Sequence, residues 1–200
     1  HILSKALPLM EIYTGESKEQ FHRFLDGEAE KDGVHSNLYT TLPLYTISEE
    51  LFRNILERNH VPAEKQLMLL QELHRVKDNF LQMLRSGSVE DRIPVLSREE
   101  YAKMPLTLSL SETFYEHEIF CTYDEYLEHY HQTMAVAERN PNYTALPQHA
   151  RIFKNIQIQI KHNEWVIISK NKSPVIHFVI RHPKMRQAIE DGLWREMNEG

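Results

Sequence analysis

Residues 156–160 read Ile-Gln-Ile-Gln-Ile, and this strict alternation of apolar and polar side chains constrains the chain more than any other feature. Period two marks a strand with one face against a core. His162-Asn163-Glu164 then makes a turn into Trp165-Val166-Ile167-Ile168-Ser169, and the two runs together predict a β-hairpin. One face of it is buried by Ile156, Ile158 and Ile160, which leaves Gln157, Gln159 and Lys161 alternating with them on the other. A third run, Val175 to Ile180, is nearly continuous in apolar and β-branched residues, and Pro183 opens a terminal helix carrying Met185 and Ile189.

Upstream, the pattern alternates between the two periods. Residues 7–14 predict a strand, and Ser17 caps a helix with Phe21, Phe24 and Leu25 on one face; that helix ends at Gly27 or runs on through the acidic stretch toward Gly33. The segment SNLYTTLPLYTI reads as extended, with Pro43 placing it at an edge or a bend. Ser48 opens a helix through Leu51, Phe52, Ile55 and Leu56 to about Asn59. The longest helix, Ala63 to about Arg85, carries Leu67, Leu70, Leu73, Val76, Phe80, Leu81 and Leu84 and leaves Glu72, Arg75 and Asp78 to solvent. A short edge strand is expected over 89–97 and another strand over 106–110. Ser97 with Glu100, and Thr122 with Glu125, form capping-box signals, the second opening a helix over 123–139; NPNYTALP after it reads as loop. The sum is an α/β chain: a mixed or antiparallel-containing sheet covered by helices, ending in hairpin, strand and helix, as one domain over 1–200.

Composition narrows the function. A net charge of −6 argues against this piece gripping a phosphate backbone, since that affinity comes from clustered Lys and Arg. One cysteine, Cys121, allows no intramolecular disulfide and points to an intracellular, cytoplasmic setting. No apolar run approaches membrane-span length, and no membrane partner is expected. The start at His1, inside an apolar pattern, suggests a piece of a longer polypeptide. Neither Gly-rich phosphate loop is present, and no cofactor is implied.

Four constellations carry chemistry. Glu125 and His129, spaced i, i+4 on a helix, could hold a metal with further ligands from elsewhere; a solvated helix face is the simpler reading. Cys121 could be a nucleophile activated by His117 or His149, although a lone cysteine is more often a small buried hydrophobe. The Ile47–Arg75 helix-turn-helix outline lacks the basic residues of a DNA reader and fits core packing. Lys170, Lys172, His177 and Arg181 gather around the last strand and the start of the last helix, a place suited to an anion, with Asn142 and Tyr143 as lids.

The stretch FKNIQIQIKHNEWVIISKNKSPVIHFVIRHPKMRQAIE, with LYTTLPLYTISEEL and TYDEYLEHY, resembles the regulatory region of certain helix-turn-helix transcription regulators of Firmicutes. The resemblance implies a bacterial, non-catalytic sensing or dimerisation domain. It implies a homodimer, a small-molecule effector, anionic if the cation cluster receives it, and DNA contact only through a separate N-terminal module. The hairpin, strand and helix are also similar to the phospholipase D-like fold. Its active members carry H-x-K followed four residues later by D; here His162 is followed by Asn163, Glu164 and Trp165, and His177 by Phe178, Val179 and Ile180, so that chemistry is not expected. A metal- or cysteine-dependent enzyme, and a protein-interaction module using the 63–85 helix, are the alternative readings.

Overall fold

The computed structural model of the protein describes residues 7–108, 118–149, 155–170, 172 and 174–199. Its strands are β1 (Met10–Thr14), β2 (Gly33–Leu38), β3 (Gly87–Pro94), β4 (Tyr143–Gln148), β5 (Ile156–Lys161), β6 (Trp165–Lys170) and β7 (Ile176–Ile180). They form one sheet in the order β1-β7-β6-β5-β2-β3-β4. The helices are α1 (Lys18–Ala29), α2 (Glu49–Arg58), α3 (Ala63–Arg85), α4 (Arg98–Lys103), α5 (Tyr123–Arg139) and α6 (Pro183–Glu199), with a 3-10 turn at Leu44–Thr46. This is the expected α/β architecture, and the expected capping side chains of Ser48, Ser97 and Thr122 accept from the backbone three residues on.

Strand direction follows connection length. β2, β3 and β4 are joined through helices and pair in parallel, whereas β5, β6, β7 and β1 pair antiparallel, and β2 is the seam between the two halves. The β5–β6 hairpin turns through Asn163 in the left-handed region (φ 67°), which asparagine tolerates. Phe21, Phe80 and Tyr126, from α1, α3 and α5, join the cores on one face of the sheet. Ile189 and Leu193 of α6 pack on the other, against Leu38, Ile158, Ile160 and Val166. The α2–α3 pair buries Leu51, Phe52, Ile55, Leu69 and Leu73 in a third cluster, so the 47–75 segment is core, as expected. Among the described residues no helix is long and apolar enough to cross a membrane.

Five expectations are corrected. The second strand covers 33–38 and is central, between β5 and β3. Pro43 lies beyond its end, at the cap of the 3-10 turn, where its missing N–H costs no ladder bond. β3 also has a neighbour on each side, and its Pro94 is the last residue, not an edge marker. NPNYTALP contains β4, an edge strand whose Tyr143 and Ala145 are buried on the helix-covered face; an edge tolerates Pro147. Finally, Glu72 is buried, while residues 107 and 120 form only an isolated bridge and the rest of the expected 106–110 strand, Ser109 and Leu110, lies outside the described residues.

Candidate functional site

Register places a row of residues across the sheet on one face: Ala145, Asp91, Asn37, Gln159, Ile167 and Val179. Flanking rows on the same face carry His35, Lys161 and Trp165 on one side, and Gln157, Ser169 and His177 on the other. A sheet face under helices is normally apolar. Burying each polar group without a partner costs about 1–3 kcal/mol, so a face like this one needs an internal hydrogen-bond network, a cavity, or both.

Asp91 anchors it. The carboxylate is fully buried and accepts from Asn37 Nδ2 at 2.8 Å, from the Tyr143 hydroxyl at 2.7 Å and from the Tyr45 hydroxyl. Burial pushes its pKa up to about 6, although the three donors pull the other way. Tyr39 donates to the Tyr45 hydroxyl and bonds Gln159, so the network extends from β3 to β5.

Above this floor lies a partly enclosed cavity of about 200 Å³ between the sheet, α1 and α3. The sheet contributes His35, Asn37, Gln157, Gln159, Trp165 and His177. α1 adds Phe21, His22, Leu25 and Glu28, and α3 adds Glu72, Arg75, Val76 and Phe80. Two stacked ring pairs stiffen the walls: Phe21 with His177 at 3.9 Å, and Tyr45 with Phe80 at 4.0 Å between centroids.

The charged groups of the lining are paired. Lys161 bonds Glu28 at 2.8 Å and Glu164 at 2.9 Å, and Arg75 bonds Glu72 at 2.7 Å and Asp26 at 2.6 Å. Burial works to raise the Glu28 pKa, but Lys161, with Trp165 and Lys31 beside it, draws it below the ordinary carboxylate value. The histidines are held neutral: burial, with Lys161 nearby, lowers His35 to about 4, and burial, with His22 nearby, does the same for His177. His177 Nδ1 lies 2.7 Å from Ser169 Oγ, whereas His35 makes no side-chain hydrogen bond among the described residues. Trp165 Nε1 is buried without a hydrogen-bond acceptor, the Glu28 carboxylate lying outside bonding geometry.

The six residues read from the sequence as one ligand site do not converge. His177 alone of the four C-terminal residues lines the cavity. Lys170 Nζ donates to the Lys172 and Pro174 carbonyls, Lys172 pairs with Glu118, and Arg181 pairs with Glu11 beneath the Phe24 ring. Asn142 and Tyr143 belong to the opposite end of the sheet, where Asn142 donates to the Leu84 carbonyl and Tyr143 to Asp91. The other constellations also disperse. Glu125 caps α5 and takes Arg58, while His129, 5% exposed, lies 2.9 Å from the Pro43 carbonyl and 3.2 Å from Thr46 Oγ1. Cys121 is buried, and burial beside Glu125 pushes its thiol up to about 12, the reverse of nucleophile activation; His117 lies outside the described residues. Among the described residues no three His, Cys, Asp or Glu side chains are grouped to hold a metal.

On the α6 face, Ser36 Oγ lies 2.8 Å from His162 Nε2, and His162 Nδ1 lies 3.4 Å from Glu190. The order is that of a nucleophile, base and acid. Ser36 sits mid-strand in β2, however, between β5 and β3 in the ladder, and a strand so placed does not supply the paired free N–H groups of an oxyanion hole. The arrangement joins α6 to the sheet.

Sequence reasoning passed over His35, Asn37 and Asp91, and also Gln157 and Gln159. The signal for the two glutamines was in the neighbouring strand: Trp165–Ile168 is apolar at every position, which requires both sheet faces to be covered and puts the glutamines of β5 under helices. No family model, curated protein or solved structure matches the chain.

Proposed function

We propose that this domain is a non-catalytic sensor that binds a small molecule in the cavity between α1, α3 and the sheet. The observation that carries the reading is the polar floor, buried at His35, Asn37 and Gln157 and half-buried at Gln159, lining a partly enclosed cavity. Convergent polar groups in a concave, partly aromatic cavity are what small-ligand recognition requires. The charge of −6 and the resemblance of the C-terminal region support a place in a bacterial transcription regulator, cytoplasmic and dimeric, with DNA contact made by a separate module. Ligand binding would then bias the packing of α1 and α3 on the sheet, the elements that differ in what they touch when the cavity is filled.

The test is a ligand-observed NMR screen of small metabolites against the wild type and Val76→Phe, which fills the cavity from α3. Binders that disappear with Val76→Phe while its melting temperature is kept support the reading. Binders retained by Val76→Phe and lost with Lys170→Ala and Lys172→Ala would place the site at those two lysines and overturn it.

A further inference from the structure

We propose that the cavity takes an uncharged, planar nitrogen heterocycle of nucleobase size, gripped along a donor–acceptor edge; this rests on the cavity being the binding site. Size comes first. About 200 Å³ is below the roughly 300–1,000 Å³ of sites for drug-sized molecules. That is one ring or two fused rings.

Shape comes from the walls. Phe21 and His177, stacked on each other, and Tyr45 and Phe80, likewise stacked, line the cavity from α1 with β7 and from α3 with the 3-10 turn. Walls so rich in aromatic rings suit a flat aromatic guest, since rings stack on one another.

Polarity comes from the floor. Asn37, held by Asp91, and Gln159, held by Tyr39, each carry a second amide N–H and an oxygen in one plane, a pairing that matches the edge of a lactam or an aminopyrimidine as it does in adenine recognition by Asn and Gln. His35, 3% exposed and without a side-chain hydrogen bond among the described residues, adds one N–H and one lone pair in its neutral form.

Charge selects against ions. Glu28 is committed to Lys161, and Arg75 to Glu72 and Asp26. An anionic or cationic guest would have to break one of these pairs and leave its partner buried.

Isothermal titration of the full chain with adenine, hypoxanthine, orotate and adenosine monophosphate tests this, with His35→Leu, Val76→Phe and Lys172→Ala as variants. The expected result is one-to-one binding of an uncharged base, more than about tenfold tighter than either anion. His35→Leu and Val76→Phe should each lose at least about tenfold, and Lys172→Ala should lose nothing. Should His35→Leu fail to fold, Val76→Phe carries the test. Orotate or adenosine monophosphate binding as tightly as the bases would overturn the inference. So would silence from both bases: if the metabolite screen still finds a cavity binder of another class, only this inference falls, and if it finds none, the sensor reading falls with it.

Discussion

Asn37 donates its carboxamide N–H to the Asp91 carboxylate at 2.8 Å across the parallel β2–β3 pair, joining the cavity floor to the deepest charge in the sheet. With Tyr45 and Tyr143 also donating, Asp91 is a buried acceptor on which three donors depend. Asp91→Leu leaves all three without it and should cost about 3 kcal/mol or more in urea denaturation, at about 1–3 kcal/mol per stranded group. Asp91→Asn keeps an acceptor oxygen, and the tyrosine hydroxyls can reverse to accept from its amide, so it should cost markedly less. Equal losses in the two variants would mean that the network does not act through hydrogen bonding.

Stability should fall as pH is lowered from 6.5 toward 4. His35, His129 and His177 have folded pKa values lowered to about 4 from 6.5, so they contribute stability above 6.5 that disappears as pH falls through the folded values. Asp91 works in the opposite sense. Raised to about 6 from 3.8, it stabilises below 3.8 and loses that contribution as pH rises through 6. Three histidine protons taken up on unfolding, less one aspartate proton released, leave about two near pH 5, a slope of about 2.7 kcal/mol per pH unit. Denaturant titrations at several pH values between 4.5 and 7 measure it. Stability that is flat or rises toward pH 5 contradicts the buried, neutral histidines.

The glycines divide into two kinds. A Cβ on Gly87 would come 1.8 Å from the Gly33 carbonyl oxygen, and one on Gly33 would come 2.4 Å from Lys161 Cε. Gly87→Ala therefore pushes β3 off β2 at the start of their pairing and should destabilise by more than about 2 kcal/mol, in the range of overpacking. Gly27 lies within α1 with nothing within 4 Å of its would-be Cβ, so Gly27→Ala should stabilise by about 0.5–1 kcal/mol. Thermal denaturation of the two variants should move in opposite directions.

The parts of the fold written in local chemistry were legible in the sequence. Ser48, Ser97 and Thr122 announced their helices through caps, and the hairpin announced itself through period two and the Asn163 turn. β2 was misplaced because it carries polar residues on both faces, His35 and Asn37 on the cavity floor and Ser36 toward α6, so its pattern does not read as a strand. Glu72 was read as solvated although its partner Arg75 lies three residues on in α3; the covering element is α1, whose Asp26 takes the same guanidinium, and no spacing in α3 records that. The cation cluster failed for a related reason: Lys172 and Arg181 find acids more than fifty residues away, Glu118 and Glu11, and pairing by distant carboxylates leaves no mark on local sequence.

The most direct test of the central claim is a ¹⁵N-resolved NMR titration that follows the Trp165 indole N–H and the Gln157 and Gln159 carboxamides as a screening hit is added. The account predicts that these side-chain signals shift together and saturate with the ligand, while the backbone amides of Lys172 and Asn142 stay in place. Shifts confined to Lys170 and Lys172 or to Asn142, with the indole and carboxamide signals unmoved, would contradict it.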